Sequence, residues 1–202
     1  MPTYQPVVSE PLRDALTERL AVRRLAPGDL EELVSMFADA EVWKFEYERG
    51  LTRTETEAFL DRQMRLWVAF GFGGCAVRDL RDGELLGVVG LGVPTLKHPS
   101  LPAVTVGWRF ASTAWGHGYA TEAATALLGQ AFDRMRLDRV GCVTNADNSR
   151  SVAVARRLGM VAFARQTGLS DDGVRTVTGL LMATDRERWR EIHGDQAVFP
   201  VA

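Results

Sequence analysis

A glycine-rich turn running straight into an amphipathic helix, Trp115-Gly116-His117-Gly118-Tyr119-Ala120-Thr121-Glu122-Ala123-Ala124, constrains this chain more than any other stretch. Glycines let backbone N–H groups face an anion with no side chain in the way, and the N-terminus of the next helix adds partial positive charge. The helix is well marked. Ala123, Ala124, Leu127, Leu128, Ala131, Phe132 and Met135 fall on one face at helical spacing. The strand-like run Val104 to Phe110 comes just before, so the order reads as strand, anion-cradling turn, helix.

Two nucleotide motifs compete for such a turn. A Walker A loop needs Gly-Lys-Ser/Thr after its glycines, which is absent here. A dinucleotide fingerprint needs a third glycine or alanine where Thr121 stands, and an opening βαβ unit where this chain has strands joined by hairpin-like loops. A plain structural reading remains, in which the glycines only make a tight strand-to-helix connection. The Asn148-Ser149-Arg150-Ser151 segment, one strand later, argues for more than that.

With 202 residues, 46% of them hydrophobic, the chain can bury a sizeable core. We read one domain over residues 19–192, with an N-terminal lead-in over 1–18 and a C-terminal tail over 193–202. A net charge of −2 without a long basic run argues against nucleic acid and against an anionic membrane surface. No segment has the uninterrupted apolar length to span a bilayer, and Met1 to Glu10 has neither the basic flank nor the apolar core of a leader. Two cysteines, Cys75 and Cys142, in apolar runs make no disulfide framework. The expected compartment is the cytoplasm. No metal site is expected, because His98 and His117 have no third ligand at credible spacing.

Along the chain, Leu20 to Leu25 reads as a strand ended by Pro27-Gly28. Asp29 with Glu32 three residues on has the pattern of a capping box, followed by the apolar stripe Leu30, Leu33, Val34 and Phe37. A second helix follows Thr52 or Thr54, with Leu60, Met64 and Trp67 at compatible spacing. Between the two, Val42 to Leu51 is a loop rich in aromatic and acidic residues: Trp43, Phe45, Glu46, Tyr47 and Glu48. Its aromatics either line a pocket or staple the helices together while the glutamates face water.

Cys75 to Arg78 and Leu85 to Leu91 form a hairpin about Asp82-Gly83. A Pro-containing loop, Pro94 to Pro102, leads to the strand before the glycine turn. Arg139 to Thr144 reads as a buried strand, and Asn148 to Ser151 opens a short helix that Leu158-Gly159 ends. Two closing strands, about Met160 to Arg165 and Val174 to Ala183, flank a turn at Asp171-Asp172-Gly173, and a helical patch spans Asp185 to Ile192.

In the order of these motifs the chain resembles the GNAT superfamily of acyl-CoA-dependent N-acetyltransferases, and within it the RimJ/RimL branch that acetylates ribosomal-protein N-termini. The resemblance covers roughly residues 19 to 190. It rests on Leu86-Gly87-Val88-Val89-Gly90-Leu91, on Val106-Gly107-Trp108-Arg109-Phe110, on the turn from Trp115 to Ala123, and on Asn148-X-X-Ser151 with Leu158-Gly159-Met160. It implies an α/β (α+β) GNAT fold, a mixed and mainly antiparallel sheet flanked by helices on both faces, using acetyl-CoA and no metal.

The resemblance also implies roles. Trp108, Arg109 and Phe110 would run beside the pantetheine arm, and Trp115, Gly116, His117, Gly118, Tyr119 and Ala120 would hold the pyrophosphate. Asn148 would hydrogen-bond the pantetheine, or cap its helix, or both. Trp115 stands where many members have Gln or Arg, and His117 where many have Lys or Arg. Arg150, Arg156 and Arg157 are candidates for coenzyme phosphates, although the last two suit a helix C-terminus equally well.

Direct acetyl transfer needs a neutral amine, an N–H donor for the carbonyl oxygen as it gains charge, and a proton for the leaving thiolate. Ser151 is the candidate proton donor, since RimL-like members carry Ser there and many others use a Tyr at the place of Ala155. The strand position that often carries Glu in the superfamily is Thr105 here, so Glu46 and Glu48 are the candidate bases. An α-amino group, with a pKa near ~8 against ~10.4 for lysine, needs the least help. This favours a protein or peptide N-terminus, or another amine of low pKa, as the acceptor. A small amine such as an antibiotic or polyamine, or a non-catalytic acyl-CoA sensor, are the alternatives, with the protein a monomer or homodimer.

Overall fold

The computed structural model describes residues 8–169 and 176–194. The strands are β1 (Ala15–Leu16), β2 (Leu20–Arg24), β3 (Gly74–Asp79), β4 (Leu85–Gly92), β5 (Thr105–Phe110), β6 (Arg139–Asn145), β7 (Val161–Leu169) and β8 (Thr176–Asp185). The helices are α1 (Leu30–Phe37), α2 (Arg53–Phe70), α3 (Tyr119–Asp133), α4 (Ser149–Arg157) and α5 (Arg186–His193). The strands form one sheet in the order β1-β2-β3-β4-β5-β6-β8-β7, antiparallel throughout except where β5 runs parallel to β6. This is the expected mixed, mainly antiparallel sheet. The final hairpin is longer than its apolar runs suggest, and its expected turn at Asp171-Asp172-Gly173 lies outside the described residues, as does most of the expected tail.

Strand alternation sends side chains to two cores. On β3, Cys75 and Val77 join Leu127, Leu128 and Phe132 of α3, together with Ala155 of α4 and Trp189 of α5. Ala76, between them, faces the other way and packs with Leu33 and Phe37 of α1 and Leu60 of α2. Helices therefore cover both faces. Each fully buried leucine or phenylalanine contributes about 1.5–3 kcal/mol. No helix among the described residues is long and apolar enough to cross a membrane.

Local signals behave as their chemistry requires at several points. Thr52 caps α2, its hydroxyl accepting from Glu55 N–H while the Glu55 carboxylate accepts from Thr52 N–H. Asn148 caps α4 by accepting from Ser151 N–H at 3.0 Å, and Gly159 follows that helix at φ 77°.

Two expectations are corrected. The Asp29–Glu32 capping box does not form. Asp29 is fully buried and accepts instead from Ala26 N–H, from Arg23 and from Arg78, while Glu32 pairs with Arg78. Two arginines on neighbouring strands outbid the helix terminus for the carboxylate. The lead-in is likewise not loose over its described part, 8–18. Leu12 and Ala15 are buried, β1 extends the sheet, and the buried Gln130 side chain bonds both the N–H and the C=O of Arg13.

Burial alone would raise the Asp29 pKa, but hydrogen bonds from Arg23, Ala26 N–H and Arg78 outweigh it and hold the carboxyl at about 2. The stability tied to this shift is fully present above the unfolded value, near ~4, and is lost as pH falls toward 2. Asp29→Asn is expected to cost about 2–3 kcal/mol at pH 7, less than a fully buried pair because both arginines reach solvent. Urea unfolding at several pH values checks this. The gap between variant and wild type should narrow between about pH 4 and pH 2, and a gap independent of pH would contradict the assignment.

Candidate active site

The site begins where the sheet opens. β5 and β6 are in register only at Thr105↔Gly141, where Gly141 N–H donates to Val104 O at 3.0 Å. From there both strands run on in the same direction, but Val106–Phe110 pairs only with β4 and Cys142–Asn145 only with β8. The facing edges of the two strands part toward their carboxyl ends. A wedge-shaped gap with backbone N–H and C=O groups along its walls is the result.

The glycine turn and α3 follow the end of β5, and α4 follows the end of β6, so two helix N-termini flank the open end. Gly116 and Gly118 sit at φ 83° and 82°, in the left-handed region that L side chains avoid. The first helical bond of α3 is Glu122 N–H to Gly118 O, and no described residue accepts from the N–H groups of Gly116 through Thr121. A run of unpaired donors at a helix N-terminus suits an anion.

The turn is braced by Arg19, the residue just before β2. Its guanidinium forms an ion pair with Glu122 at 2.6 Å, donates to His117 O at 3.0 Å and lies over the Tyr119 ring at 4.7 Å. His117 is exposed and stacks on Tyr119. Trp115 donates its indole N–H to Phe110 O, the last carbonyl of β5, at 2.9 Å. Arg150, near the start of α4, lies over the Trp115 ring at 4.9 Å.

On the opposite face the gap has a cover. Trp108 and Phe110 pack toward α3, but Arg109, between them, points the other way. It donates to Val42 O at 2.6 Å and to Glu46 at 3.1 Å and 3.2 Å, and lies over the Trp43 ring at 3.6 Å. From β6, Asn145 Nδ2 donates to Phe45 O at 3.3 Å. Both walls of the gap therefore hold the 42–46 segment across its mouth. Asp39 caps the turn that opens this segment and accepts from Ser112 Oγ, just before the glycine turn. Trp43 stacks edge-on against Phe37 of α1, so the aromatics staple the loop to the helices.

The candidate acids and bases separate. Glu46 lies at the mouth of the gap, half-exposed and bound by Arg109. Glu48 lies two residues on in a left-handed conformation (φ 55°) and is exposed. Ser151, in the first turn of α4, is partly buried, and its hydroxyl bonds to no described residue. Asn148 uses its amide oxygen as a cap, which leaves its amide nitrogen as a donor. Arg156 and Arg157 occupy the last turn of α4, where the macrodipole favours them. His98 accepts from Ser100 N–H through Nδ1, and its ring lies 5.6 Å from Phe163. Burial pushes the Cys142 thiol up to about 12, and burial with the nearby Asp14 charge pushes Cys75 higher still. Among the described residues no cluster of three or more His, Cys, Asp or Glu is placed to hold a metal.

Arg19, Asp39, Asn145 and the side chain of Arg109 had no local signature. Arg19 meets Glu122 across 103 positions and Arg109 meets Glu46 across 63. Short-range patterning cannot report such pairs.

The acetyltransferase (GNAT) domain model matches residues 19–161, which is most of the chain, and the chain belongs to that family. It is 28% identical over 146 residues to the Bacillus subtilis (strain 168) protein YkkB, covering 72% of this chain and 83% of that one. In structure it is similar to a GNAT-family acetyltransferase from Bacillus anthracis, with a TM-score of 0.72 and 24% identity, over 86% of this chain and 99% of the other. It is also similar to the ribosomal-protein-alanine N-acetyltransferase from Brucella melitensis, with a TM-score of 0.62 and 20% identity, over 81% and 98%. At these identities the structural likeness speaks to the fold.

Arg109 is expected to fasten the cover. Arg109→Gln should speed amide hydrogen exchange over residues 42–46 by about ten-fold or more, read by mass spectrometry, while α3 keeps its protection. Unchanged exchange in that segment would show that the stapled aromatics suffice without the arginine.

Proposed function

We propose that the protein transfers an acetyl group directly from acetyl-CoA to a primary amine, as an N-acetyltransferase of the RimJ/RimL type acting in the cytoplasm on the α-amino group of a protein or peptide. The observation that carries this reading is the gap between β5 and β6, open toward the unpaired N–H groups from Gly116 through Thr121. A pyrophosphate suits the turn, through the backbone donors of Gly116, His117, Gly118, Tyr119 and Ala120. The extended, amide-bearing pantetheine arm suits strand edges, where Trp108, Arg109 and Phe110 supply backbone groups and Asn148 Nδ2 adds a donor. The thioester then lies within the sheet, sheltered from water by the 42–46 cover.

For the chemistry, an amine entering from the cover side meets Glu46 first. Its carboxylate orients the ammonium and accepts its proton directly or through water, with Glu48 the more solvent-exposed second candidate. An unpaired backbone N–H of the β5 edge steadies the carbonyl oxygen as it gains charge. The Ser151 hydroxyl, free of other described partners, donates to the departing thiolate. Direct transfer fits the cysteines. Cys75 and Cys142 are buried and, with their raised pKa values, stay protonated at neutral pH, so neither serves as an acyl carrier.

Calorimetric titration with acetyl-CoA, with NADH and ATP as controls, should show saturable binding of acetyl-CoA alone. Gly118→Trp should abolish it, because a bulky side chain at φ 82° strains the turn and crowds the Arg19 guanidinium that braces it. Retained affinity would remove the turn from the reading. Ser151→Ala should lower kcat by about 10–100-fold with near-normal coenzyme affinity, and equal turnover would exclude Ser151 as the acid. A panel of peptide N-termini, polyamines and aminoglycosides then identifies the acceptor class. Coenzyme binding with transfer to none of them would favour the sensor.

A further inference from the structure

We infer that Arg150, held on the face of Trp115, reads the ribose 3′-phosphate of the coenzyme and so sets its preference for coenzyme A over the 3′-dephospho form. This rests on the coenzyme reading of the glycine turn. Arg150 is the second residue of α4, where the positive end of the helix dipole disfavours a cation. It is exposed and makes no ion pair with any described residue. Two arginines that flank the gap do have carboxylate partners: Arg19 has Glu122 and Arg109 has Glu46. A cation set against the helix dipole gains most when an anion arrives.

Trp115 decides where that cation stands. Its indole is fixed by the hydrogen bond to Phe110 O and packs against the main core, so the ring is a rigid plate at the carboxyl end of β5. Arg150 reaches this plate from α4, across the open end of the gap. A guanidinium stacked on an indole keeps its in-plane N–H donors free, and that edge matches a phosphate with two parallel hydrogen bonds. The backbone N–H run from Gly116 to Thr121 serves two linked phosphates. The remaining dianionic group of the coenzyme falls to the cation on the opposite bank. Arg150 is then a specificity residue, and Trp115 is a positioning residue that acts through it.

The test compares the affinities of acetyl-CoA and 3′-dephospho-acetyl-CoA by calorimetry at low and moderate salt. Wild type should prefer the phosphorylated form by about 10–100-fold, the range for a charge-assisted pair, with the preference shrinking as salt rises. Arg150→Gln should reduce the ratio to about two-fold or less while leaving affinity for the dephospho form within about two-fold of wild type. Arg150→Lys should keep part of the ratio, because charge survives but the planar fork does not. Trp115→Phe should retain most of it and Trp115→Leu should lose most of it, a pattern that a purely structural tryptophan would not give. If Trp115→Leu does not fold by thermal melting, the arginine variants and Trp115→Phe decide the matter. A wild-type ratio near one, or an Arg150→Gln protein that keeps the wild-type ratio, overturns the inference. A folded wild type that binds neither form overturns the coenzyme reading beneath it.

Discussion

Two parallel strands, joined at one end and apart at the other, govern the rest of the molecule. β6 pairs along its length with β8 and β5 with β4, each through one edge, and the edges that β5 and β6 turn toward each other are in register only at Thr105↔Gly141. The closed end is locked from the side. Gly141 has no side chain, and Pro102 and Leu101 of the preceding loop pack where a Cβ would stand. Unpaired strand edges inside a sheet carry a desolvation cost unless something meets them. Part of that need is met within the chain, by the Trp115 indole on Phe110 O. The rest is open to an extended partner rich in amides.

Charge placement follows from the same opening. Glu122, in the first turn of α3, favours the helix dipole yet has the sign of any phosphate that approaches. Arg19 offsets it, and its further bond to His117 O ties the shape of the turn to β2. Arg150 shows the converse arrangement, a cation set against the dipole of α4. On the far face Arg109 serves as a fastener, binding a carboxylate, a carbonyl and an indole at once. Through Asp39 and Ser112 the cover on that face is linked to the chain entering the glycine turn, so the two faces share one scaffold.

The readable parts of the fold are those whose cause lies within a few residues. The Asp82-Gly83 hairpin, the Thr52 cap of α2, the Asn148 cap of α4 and the glycine after it each follow from a local preference for one backbone conformation or one side-chain-to-backbone bond. Asp29 shows the limit. Its spacing to Glu32 is that of a capping box, but Arg23 and Arg78 reach it from the sheet, and a buried carboxylate takes the charged donors. The segment before β2 shows it again. Nothing in residues 8–18 announces order, yet the distant Gln130 side chain satisfies the backbone of Arg13 from inside the core.

By itself the sequence determined most of the elements and the glycine turn that leads into α3, because these depend on steric limits and periodicity along a short stretch of chain. Only the tertiary structure decided that β5 and β6 separate, that Arg109 takes Glu46, and that Arg19, Arg109 and Arg150 find Glu122, Trp43 and Trp115. Those contacts join residues far apart along the chain. Their strength depends on how strands and helices are laid side by side, which no local pattern records.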